Sequence, residues 1–340
     1  MLNNNKISQK SIYILVLTLM LFVLFTTDLL IGSEIFSLKE IISALNDKTS
    51  AIYTILTEFR LPRAITAVLA GSALSLSGLL MQTIFRNPLS GPYILGISSG
   101  AGLGVALLVM SGSVFGISVM NSNMSIVIAA WLGALMVLLL TLAVSVRVKD
   151  IMTLLVLGIL FGSGISALVN ILQFFSNNSE LKSFVLWTMG SLDNVANDKI
   201  LIFVIAVIAG IFTGLLSVKP LNALILGEIY AKSMGVNIVK SRLLIFVVTG
   251  ILTGTVTAFC GPIGFIGIVI PHLSRLLFST ANHIWLIPGS IILGADIMLI
   301  SDIISQMPGS QLKLPINTVT ALFGIPVIIW LIVKNKRINL

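Results

Sequence analysis

The sequence predicts an all-α, polytopic membrane protein with about ten transmembrane helices. Hydrophobic residues make up 57% of the chain and charged residues 9%, whereas a soluble domain carries about 25% charged residues. Apolar runs of the length that spans a bilayer, about 20 residues, recur along the chain. The alternation of polar and apolar residues typical of membrane strands is absent from these runs, so each has to satisfy its backbone hydrogen bonds as a helix.

The predicted spans follow from these apolar runs and the polar breaks between them. Lys6 and Lys10 precede the first run, as in a secretory signal peptide, but this run is longer than the apolar core of a signal, about 7–15 residues. We therefore expect an uncleaved first helix. The eighth run is short and flanked by Pro262 and Pro271, which predicts a broken helix buried in protein. The predicted spans are 12–32, 62–84, 93–111, 125–146, 151–175, 199–218, 242–260, 264–278, 286–305 and 315–333.

The distribution of positive charge predicts that both termini lie in the cytoplasm. An even number of spans puts the termini on the same side, and Lys and Arg near span ends resist translocation. With the termini inside, the inner side carries most of the basic residues and the outer side is net acidic. The formal net charge of +8 therefore reflects membrane topology and predicts no nucleic-acid partner. The inner basic residues are Lys6, Lys10, Arg86, Arg147, Lys149, Lys219, Lys232, Lys240, Arg242, Arg275, Lys334, Lys336 and Arg337, and the inner acids are Asp150 and Glu228.

The sequence predicts no metal site, no resident cofactor and no catalytic residue. Cys260 is the one cysteine, so no disulfide or thiolate cluster forms within the chain, and we expect it to pack as a small apolar residue. His272 and His283 lack metal-ligand spacing on one helix face. The dipeptide Gly-Lys of a phosphate-binding loop does not occur, so we expect no ATP hydrolysis by this chain.

The segment between the sixth and seventh predicted spans, residues 218–241, predicts a short, partly apolar helix at the cytoplasmic surface. Glu228 and Lys232 lie four residues apart in the order that favours a helix, and Gly235 can end it in the left-handed conformation. Two interpretations fit this pattern: an interfacial helix that lies on lipid headgroups, or a docking helix for a soluble partner.

Residues 226–235, Leu-Gly-Glu-x-x-Ala-x-x-x-Gly, resemble the coupling segment of the permeases of ABC importers for iron chelates and cobalamin. Further motifs of that FecCD/BtuC-like family occur in order along nearly the whole chain, and the combination is highly specific. These motifs are Arg60-Leu61-Pro62-Arg63, Gly78 to Gln82, Phe85 to Leu89, Leu95 to Gly102, Gly261 to Gly267, Ile270-Pro271-His272, Leu314-Pro315 and Gly324-x-Pro326.

The resemblance implies a type II ABC importer permease, with residues 1–340 forming a single transmembrane domain in a bacterial inner (plasma) membrane. The implied partners are a second permease subunit, giving a homodimer, two cytoplasmic ATPase subunits and an external substrate-binding protein. The implied cargo is a metal chelate: a ferric siderophore, haem or cobalamin. The residues that would contact the ATPase are Gly227, Glu228, Ala231, Lys232 and Gly235.

Arg60 and Arg63 lie at the outer start of the second span, three residues apart, and would point roughly the same way on a helix. One interpretation is that their long side chains lie along the lipid interface. The resemblance implies instead that they pair with acidic residues of the binding protein, in an external docking region at residues 33–63. Gln306 occupies the place of a third arginine of the family, so docking would rest on fewer charges.

The resemblance also implies a cytoplasmic gate at Asn87 and Leu89. A second gate would lie at residues 150–153, where the family often carries hydroxyl residues and this chain begins with an aspartate. Two acids, Asp296 and Asp302, fall inside the ninth predicted span, where charge is costly. Asp302 matches the family and suits a hydrogen-bonding role, whereas Asp296 either packs against hydroxyls or lines the central passage.

Two other classes of function fit the composition. A secondary transporter driven by protons or sodium would show inverted repeats and coupling acids near the midplane, for which Asp296 alone is thin support. A non-transporting assembly protein would leave residues 226–235 and the Arg60/Arg63 pair unexplained. We therefore expect the permease of an ATP-driven importer.

Overall fold

The structure, a computed structural model, describes residues 2–32, 34–110, 123–148, 150–195, 197–310 and 312–335. These residues form α-helices and short connections, with no β-strand among them. Several positions named above lie outside the described residues: residues 33 and 111, Lys149, Lys336 and Arg337. The helices are α1 (Leu2–Leu30), α2 (Leu38–Asn46), α3 (Ala51–Ile84, with a π-helical turn at Ile55–Arg60), α4 (Ile97–Val109), α5 (Asn123–Arg147), α6 (Ile151–Phe175), α7 (Asn178–Thr188), α8 (Asn197–Leu215), α9 (Val218–Ile225), α10 (Glu228–Ser233), α11 (Ile238–Cys260), α12 (Ile266–Phe278), α13 (His283–Ser305) and α14 (Ile316–Asn335).

Six of these helices are long and apolar enough to cross a bilayer: α1, α3, α5, α6, α11 and α13. The bent pair α8 and α9, with an angle of 49°, gives a seventh if it counts as one span, and α4, α12 and α14 are shorter apolar helices. Each predicted span coincides with one helix, which confirms the all-α, multi-pass fold class. The crossing number of about ten stays a prediction, because a helix of 13 residues such as α4 covers only about 20 Å of a hydrocarbon core about 30 Å thick.

The irregularity expected at the eighth span is present. The helix there, α12, has 13 residues and follows a non-helical stretch in which Gly261 and Phe265 have positive φ angles of 75° and 67°. Such an angle strains a bulky residue like Phe265. Pro271 lies inside α12 and is buried; in the non-helical stretch before it, Gly261 is buried and residues 262–265 are partly buried.

Helix α3 forms the centre of the bundle and packs against α11, α12 and α13. Its Gly71 faces Gly294 of α13, and its Gly78 faces Gly267 of α12. A Cβ atom on Gly71 would lie 2.2 Å from the Gly294 carbonyl oxygen, and one on Gly78 would lie 1.8 Å from that of Gly267. Neither position accepts a side chain unless backbone moves. Small residues thus allow the helix backbones to touch, and this contact sets the register of α3 against its neighbours.

Candidate functional site

A network of charged and amide side chains surrounds Arg63 at the predicted outer end of α3. The Nε and Nη2 atoms of Arg63 donate to the Asp302 carboxylate at 2.9 and 2.7 Å, the bidentate geometry of a strong charge-assisted pair. Arg63 is 7% exposed and Asp302 0%, so the pair is shielded from water. We name this network the outer polar cluster; it consists of Arg63, Asp302, Asp193, Lys313, Gln306 and Asp28.

Asp193 joins the outer polar cluster from the loop after α7. Its carboxylate accepts hydrogen bonds from Arg63 Nη1 at 2.5 Å and from Lys313 Nζ at 2.8 Å. Burial by itself would raise the pKa of Asp193, but the positive charges of Arg63 and Lys313 outweigh burial and hold the pKa below its usual value. Asp193 therefore stays ionised and neutralises one edge of the Arg63 guanidinium.

Gln306 is buried within the outer polar cluster. Its Nε2 atom lies 3.1 Å from Asp28 Oδ1 and 3.1 Å from Asp302 Oδ2. An amide nitrogen donates to both carboxylates without a charge of its own. Asp302 thus has the hydrogen-bonding role expected from the sequence, with partners on α3 and on its own helix.

Arg60 is held by a different part of the chain. Its Nη1 atom donates to the carbonyl oxygens of Leu29 and Leu30 at 2.7 and 2.9 Å, and its Cζ atom lies 4.2 Å from the centre of the Phe36 ring. Carbonyls at the end of α1 lack a helical donor, and the arginine supplies one. Arg60 and Arg63 are therefore both buried and engaged within the chain, with different partners, and their contact with a binding protein stays a prediction.

A recess opens beside Arg60, within the predicted docking region. Its volume is about 780 Å³, and its lining includes Glu34, Glu58 and Phe59. Phe59 is largely exposed. These apolar and acidic side chains were missed in the sequence, because their exposure depends on how α2 packs beside the π-helical turn of α3.

The predicted coupling segment, residues 218–241, folds into α9, α10 and the start of α11 and not into one helix. Gly227 separates the two helices with a φ angle of 116°, a conformation that glycine adopts far more readily than other residues. Gly235 follows α10 with a φ angle of 81°, the left-handed ending that the sequence predicts. Ala231, between them, is 0% exposed and faces the bundle.

The outward side of α10 is apolar. Ile229 is 84% exposed and Tyr230 65% exposed, and Leu226 and Met234 on either side are exposed as well. The sequence analysis did not single out these residues, because the buried side of a six-residue helix is decided by tertiary contacts. One signal was available: large apolar side chains in a predicted cytoplasmic loop.

Contacts of α10 lead to the loop that precedes α6. Glu228 pairs with Arg242 of α11 at 3.5 Å, whereas Lys232 is exposed. Arg242 in turn donates to the Val148 carbonyl oxygen at 3.2 Å. Through this arginine, the coupling segment is linked to the region of the predicted second gate.

Asp150, at that predicted second gate, caps the first turn of α6. Its carboxylate accepts from Thr153 N at 2.7 Å and from Thr153 Oγ1 at 2.6 Å. These hydrogen bonds lower the pKa of Asp150, since they stabilise its charged form. A negative charge is also favoured at a helix N-terminus, so the aspartate has a structural role here.

Asn87 and Leu89, the predicted first gate, lie in the loop after α3. The Asn87 Oδ1 atom accepts from Leu89 N at 2.9 Å. Both residues line a groove of about 680 Å³ that follows α6. The other polar residues of its lining carry no charge; they are Tyr93, Ser99, Ser163, Ser166 and Asn170.

Asp296 lies in the middle of α13 and is fully buried, with no hydrogen-bond partner for either carboxylate oxygen. It does not contribute to the groove along α6, and the hydroxyl partners considered for it are not in hydrogen-bonding contact.

Cys260 is buried. In the part of the chain that the structure describes, no group of three or more His, Cys, Asp or Glu residues is placed to hold a metal ion.

Comparisons with known proteins relate this chain to one family. The sequence profile of the FecCD transport family matches residues 19–334. The hemin transport system permease protein HmuU of Yersinia pestis is 35% identical over 288 residues, 84% of this chain and 85% of that protein. The vitamin B12 import system permease protein BtuC of Klebsiella pneumoniae is 37% identical over 279 residues, 82% of each.

Two solved structures resemble the fold. A metal-chelate type ABC transporter in an inward-facing conformation gives a TM-score of 0.84 at 34% identity, covering 94% of this chain and 98% of that chain. PsaBC from Streptococcus pneumoniae gives a TM-score of 0.54 at 16% identity, covering 86% of this chain and 95% of that chain, a likeness of fold alone.

We expect Asp302→Asn to destabilise the protein by about 3–5 kcal/mol, because it leaves the buried Arg63 charge without its main partner. The matched control is Lys313→Gln, which breaks a half-exposed pair with Asp193 and should cost at most about 1 kcal/mol. Thermal unfolding of the purified protein in detergent measures both effects. Equal stability of the two variants would show that the Arg63–Asp302 pair does not hold the outer end together.

Proposed function

The chain belongs to the FecCD transport family, and from this premise we propose that it is the permease subunit of an ATP-driven importer that carries a metal chelate into the cytoplasm. The observation that carries this proposal is the exposed apolar surface of α10. An ATP-driven importer whose membrane chain has no phosphate-binding loop needs a separate subunit that hydrolyses ATP, and α10 offers a place for that subunit to bind.

We propose the following assembly. Residues 1–340 form one permease domain of a multi-pass protein of the bacterial inner membrane, with both termini in the cytoplasm. The groove along α6 is lined by α6 and by the segment from Asn87 to Ser99, and a second copy of the chain would cover its open side and complete the passage. Two ATPase subunits bind on the cytoplasmic side, and an external binding protein delivers the cargo.

The chemistry of α10 supports docking of the ATPase. An exposed apolar patch with a polar rim marks a contact with another protein or with a membrane, and the tyrosine in this patch favours a protein contact, in which tyrosine is enriched. Ile229 and Tyr230 would form the centre of this contact, while Ala231 anchors the helix from the inner side. In this proposal the predicted coupling residues have different roles. Gly227 and Gly235 set the ends of α10, and Glu228 and Lys232 form its charged rim.

The recess beside Arg60 supports docking of the binding protein at the opposite end. Arg60, Arg63 and Gln306 all reach its lining. Arg63 is already engaged by Asp302, which is buried, and by Asp193, which is partly exposed. A carboxylate of the partner would therefore compete with Asp193 for the Arg63 guanidinium.

The groove along α6 supports a passage for a bulky, polar cargo, with Asn87 and Leu89 as the gate at its inner end. Hydroxyl and amide side chains without charge can contact a chelate without holding it tightly, and release is as necessary for transport as binding. Relatives named for the transport of haemin and of vitamin B12 support haem and cobalamin as candidate cargoes, together with ferric siderophores.

The complex of permease, ATPase and binding protein, reconstituted in vesicles, should accumulate one of these labelled chelates when ATP is present on the ATPase side. A non-hydrolysed ATP analogue should abolish uptake, and a protonophore should leave it unchanged. Uptake that persists without the ATPase and collapses with the proton gradient would identify a secondary transporter and overturn the proposal.

Ile229→Asp and Tyr230→Ala should lower the amount of ATPase that copurifies with the permease by about tenfold or more, the usual effect of losing a central interface residue. Both side chains are exposed, so the fold should persist. Leu312→Asp is the matched control, since Leu312 is an equally exposed apolar residue in a loop on the predicted outer side. Normal copurification with Ile229→Asp would exclude α10 as the docking helix.

Asp193→Asn should strengthen binding of the external binding protein, because it frees one edge of the Arg63 guanidinium, whereas Arg63→Glu should abolish binding. Titration of the binding protein onto the complex in lipid nanodiscs measures the two dissociation constants. Lys240→Gln, an exposed site on the predicted inner side, is the control. If neither Asp193→Asn nor Arg63→Glu changes the dissociation constant, Arg63 takes no part in docking.

A further inference from the structure

A buried histidine joins the inner end of α3 to the coupling segment. His283, the first residue of α13, is 1% exposed. Its Nδ1 atom lies 2.9 Å from Asn222 Oδ1 on α9, and its Nε2 atom lies 2.9 Å from Thr83 Oγ1 on α3. One imidazole ring therefore bridges the helix that leads to the coupling surface and the helix that leads to the gate.

The hydrogen-bond pattern assigns a role to each group of this bridge. The backbone N–H of His283 donates to Asn222 Oδ1 at 2.8 Å, and Asn222 Nδ2 donates to Asn282 Oδ1 at 3.0 Å, which together orient the Asn222 amide. Nδ1 faces an acceptor oxygen, so it carries the ring proton. Nε2 then faces the Thr83 hydroxyl as an acceptor, and the single proton of that hydroxyl is shared between Nε2 and the Leu79 carbonyl oxygen, 2.8 Å away.

A second contact joins the same two elements. Arg86, just after α3, donates from Nη2 to the Leu224 carbonyl oxygen of α9 at 2.9 Å. On the other side of the gate loop, His272 Nε2 lies 2.9 Å from the Pro88 carbonyl oxygen. The predicted gate residue Asn87 therefore lies between two neighbours whose positions are fixed by contacts outside the loop.

We propose that His283 is a positioning residue that transmits movement of the coupling segment to the gate at Asn87 and Leu89. This inference rests on the proposed function, since it assigns a route between two sites of the same importer. Two contacts from α9, through His283 and through Arg86, reach the same end of α3. Hydrogen bonds weaken steeply when stretched or bent, and the buried imidazole of His283 has no water to replace a partner that it loses. When α9 shifts, the end of α3 therefore moves with it, because the contacts between the two helices do not stretch enough to take up the movement.

The test compares Thr83→Val with Thr83→Ser. Valine has nearly the shape of threonine but removes the hydroxyl that Nε2 accepts from, whereas serine retains it. His283→Asn is the second variant; it keeps a donor toward Asn222 but is too short to reach Thr83. Each variant is assembled with the ATPase and binding protein in vesicles, and the cargo transported per ATP hydrolysed is measured.

A second readout follows the gate directly. Leu89→Cys places an exposed thiol in the gate loop, while the native Cys260 is buried and should not react with a membrane-impermeant maleimide. In the otherwise unchanged protein, ATP should alter the reactivity of this thiol; no alteration there would remove Leu89 from the gate. In Thr83→Val and His283→Asn the alteration should be lost.

We expect Thr83→Val and His283→Asn to hydrolyse ATP at near the normal rate while transport per ATP falls about fivefold or more, the range of a typical coupling free energy. Thr83→Ser should behave like the unchanged protein. Unchanged transport per ATP, or a parallel loss of hydrolysis, transport and assembled complex, would overturn the inference, the latter by showing a purely structural role. Failure of the proposed function is distinguishable, because then the unchanged protein itself shows no ATP-driven uptake.

Discussion

The close antiparallel packing of α3 against α13 is the contact on which the rest of the structure depends. A pair of glycines brings the two backbones together near the middle, and the same register brings polar partners together at both ends. The helix between residues 63 and 83 covers about 30 Å, the thickness of the hydrocarbon core. Two groups of polar contacts therefore lie about one hydrocarbon core apart. Between them the two helices pack through small residues, Ser72 donates to the Ile291 carbonyl oxygen at 3.2 Å, and the Asp296 carboxylate is buried without a hydrogen-bond partner. The matched pairs are Arg63 with Asp302, Gly71 with Gly294, and Thr83 with His283.

This arrangement also offsets much of the free-energy cost of burying charged side chains in a membrane protein. Lipid offers no hydrogen-bond partners, so each buried polar group needs one from the chain. α3 and α13 cannot slide along each other without separating the glycine contact. This fixed register holds Arg63 beside Asp302 at one end and Thr83 beside His283 at the other. The same rigidity makes α3 a suitable connection between the recess beside Arg60 and the predicted gate at Asn87 and Leu89, since a packed helix moves as a unit.

The sequence predicts the parts of this structure that depend on local chemistry. Apolar runs locate the helices, prolines locate the irregular α12, and Gly235 ends α10 in the left-handed conformation as expected. It does not predict partners that are distant along the chain: Arg63 finds Asp302 239 residues away and Asp193 130 residues away. Such pairings follow from the register in which the helices pack, and the hydropathy of a single sequence does not reveal that register. For the same reason the exposed side of α10 was unforeseen, since a six-residue helix has too few apolar positions to mark its buried face.

Glutamine at position 306 changes the electrostatics of the outer end. An arginine there would bring a positive charge between Asp28 and Asp302, whereas the amide only donates hydrogen bonds to them. Arg60 lies close enough to supply that charge: its Nη2 atom and the Gln306 Oε1 atom both lie 3.0 Å from the place a Cβ on Gly32 would take. Its Nη1 atom donates to carbonyl oxygens of α1, which carry no net charge. The positive charge of Arg60 is therefore not neutralised there and acts on the nearby carboxylates. Both arginines at this end of α3, Arg60 and Arg63, thus contribute to internal charge balance, and an acidic partner that approaches them has to compete with the chain's own acids.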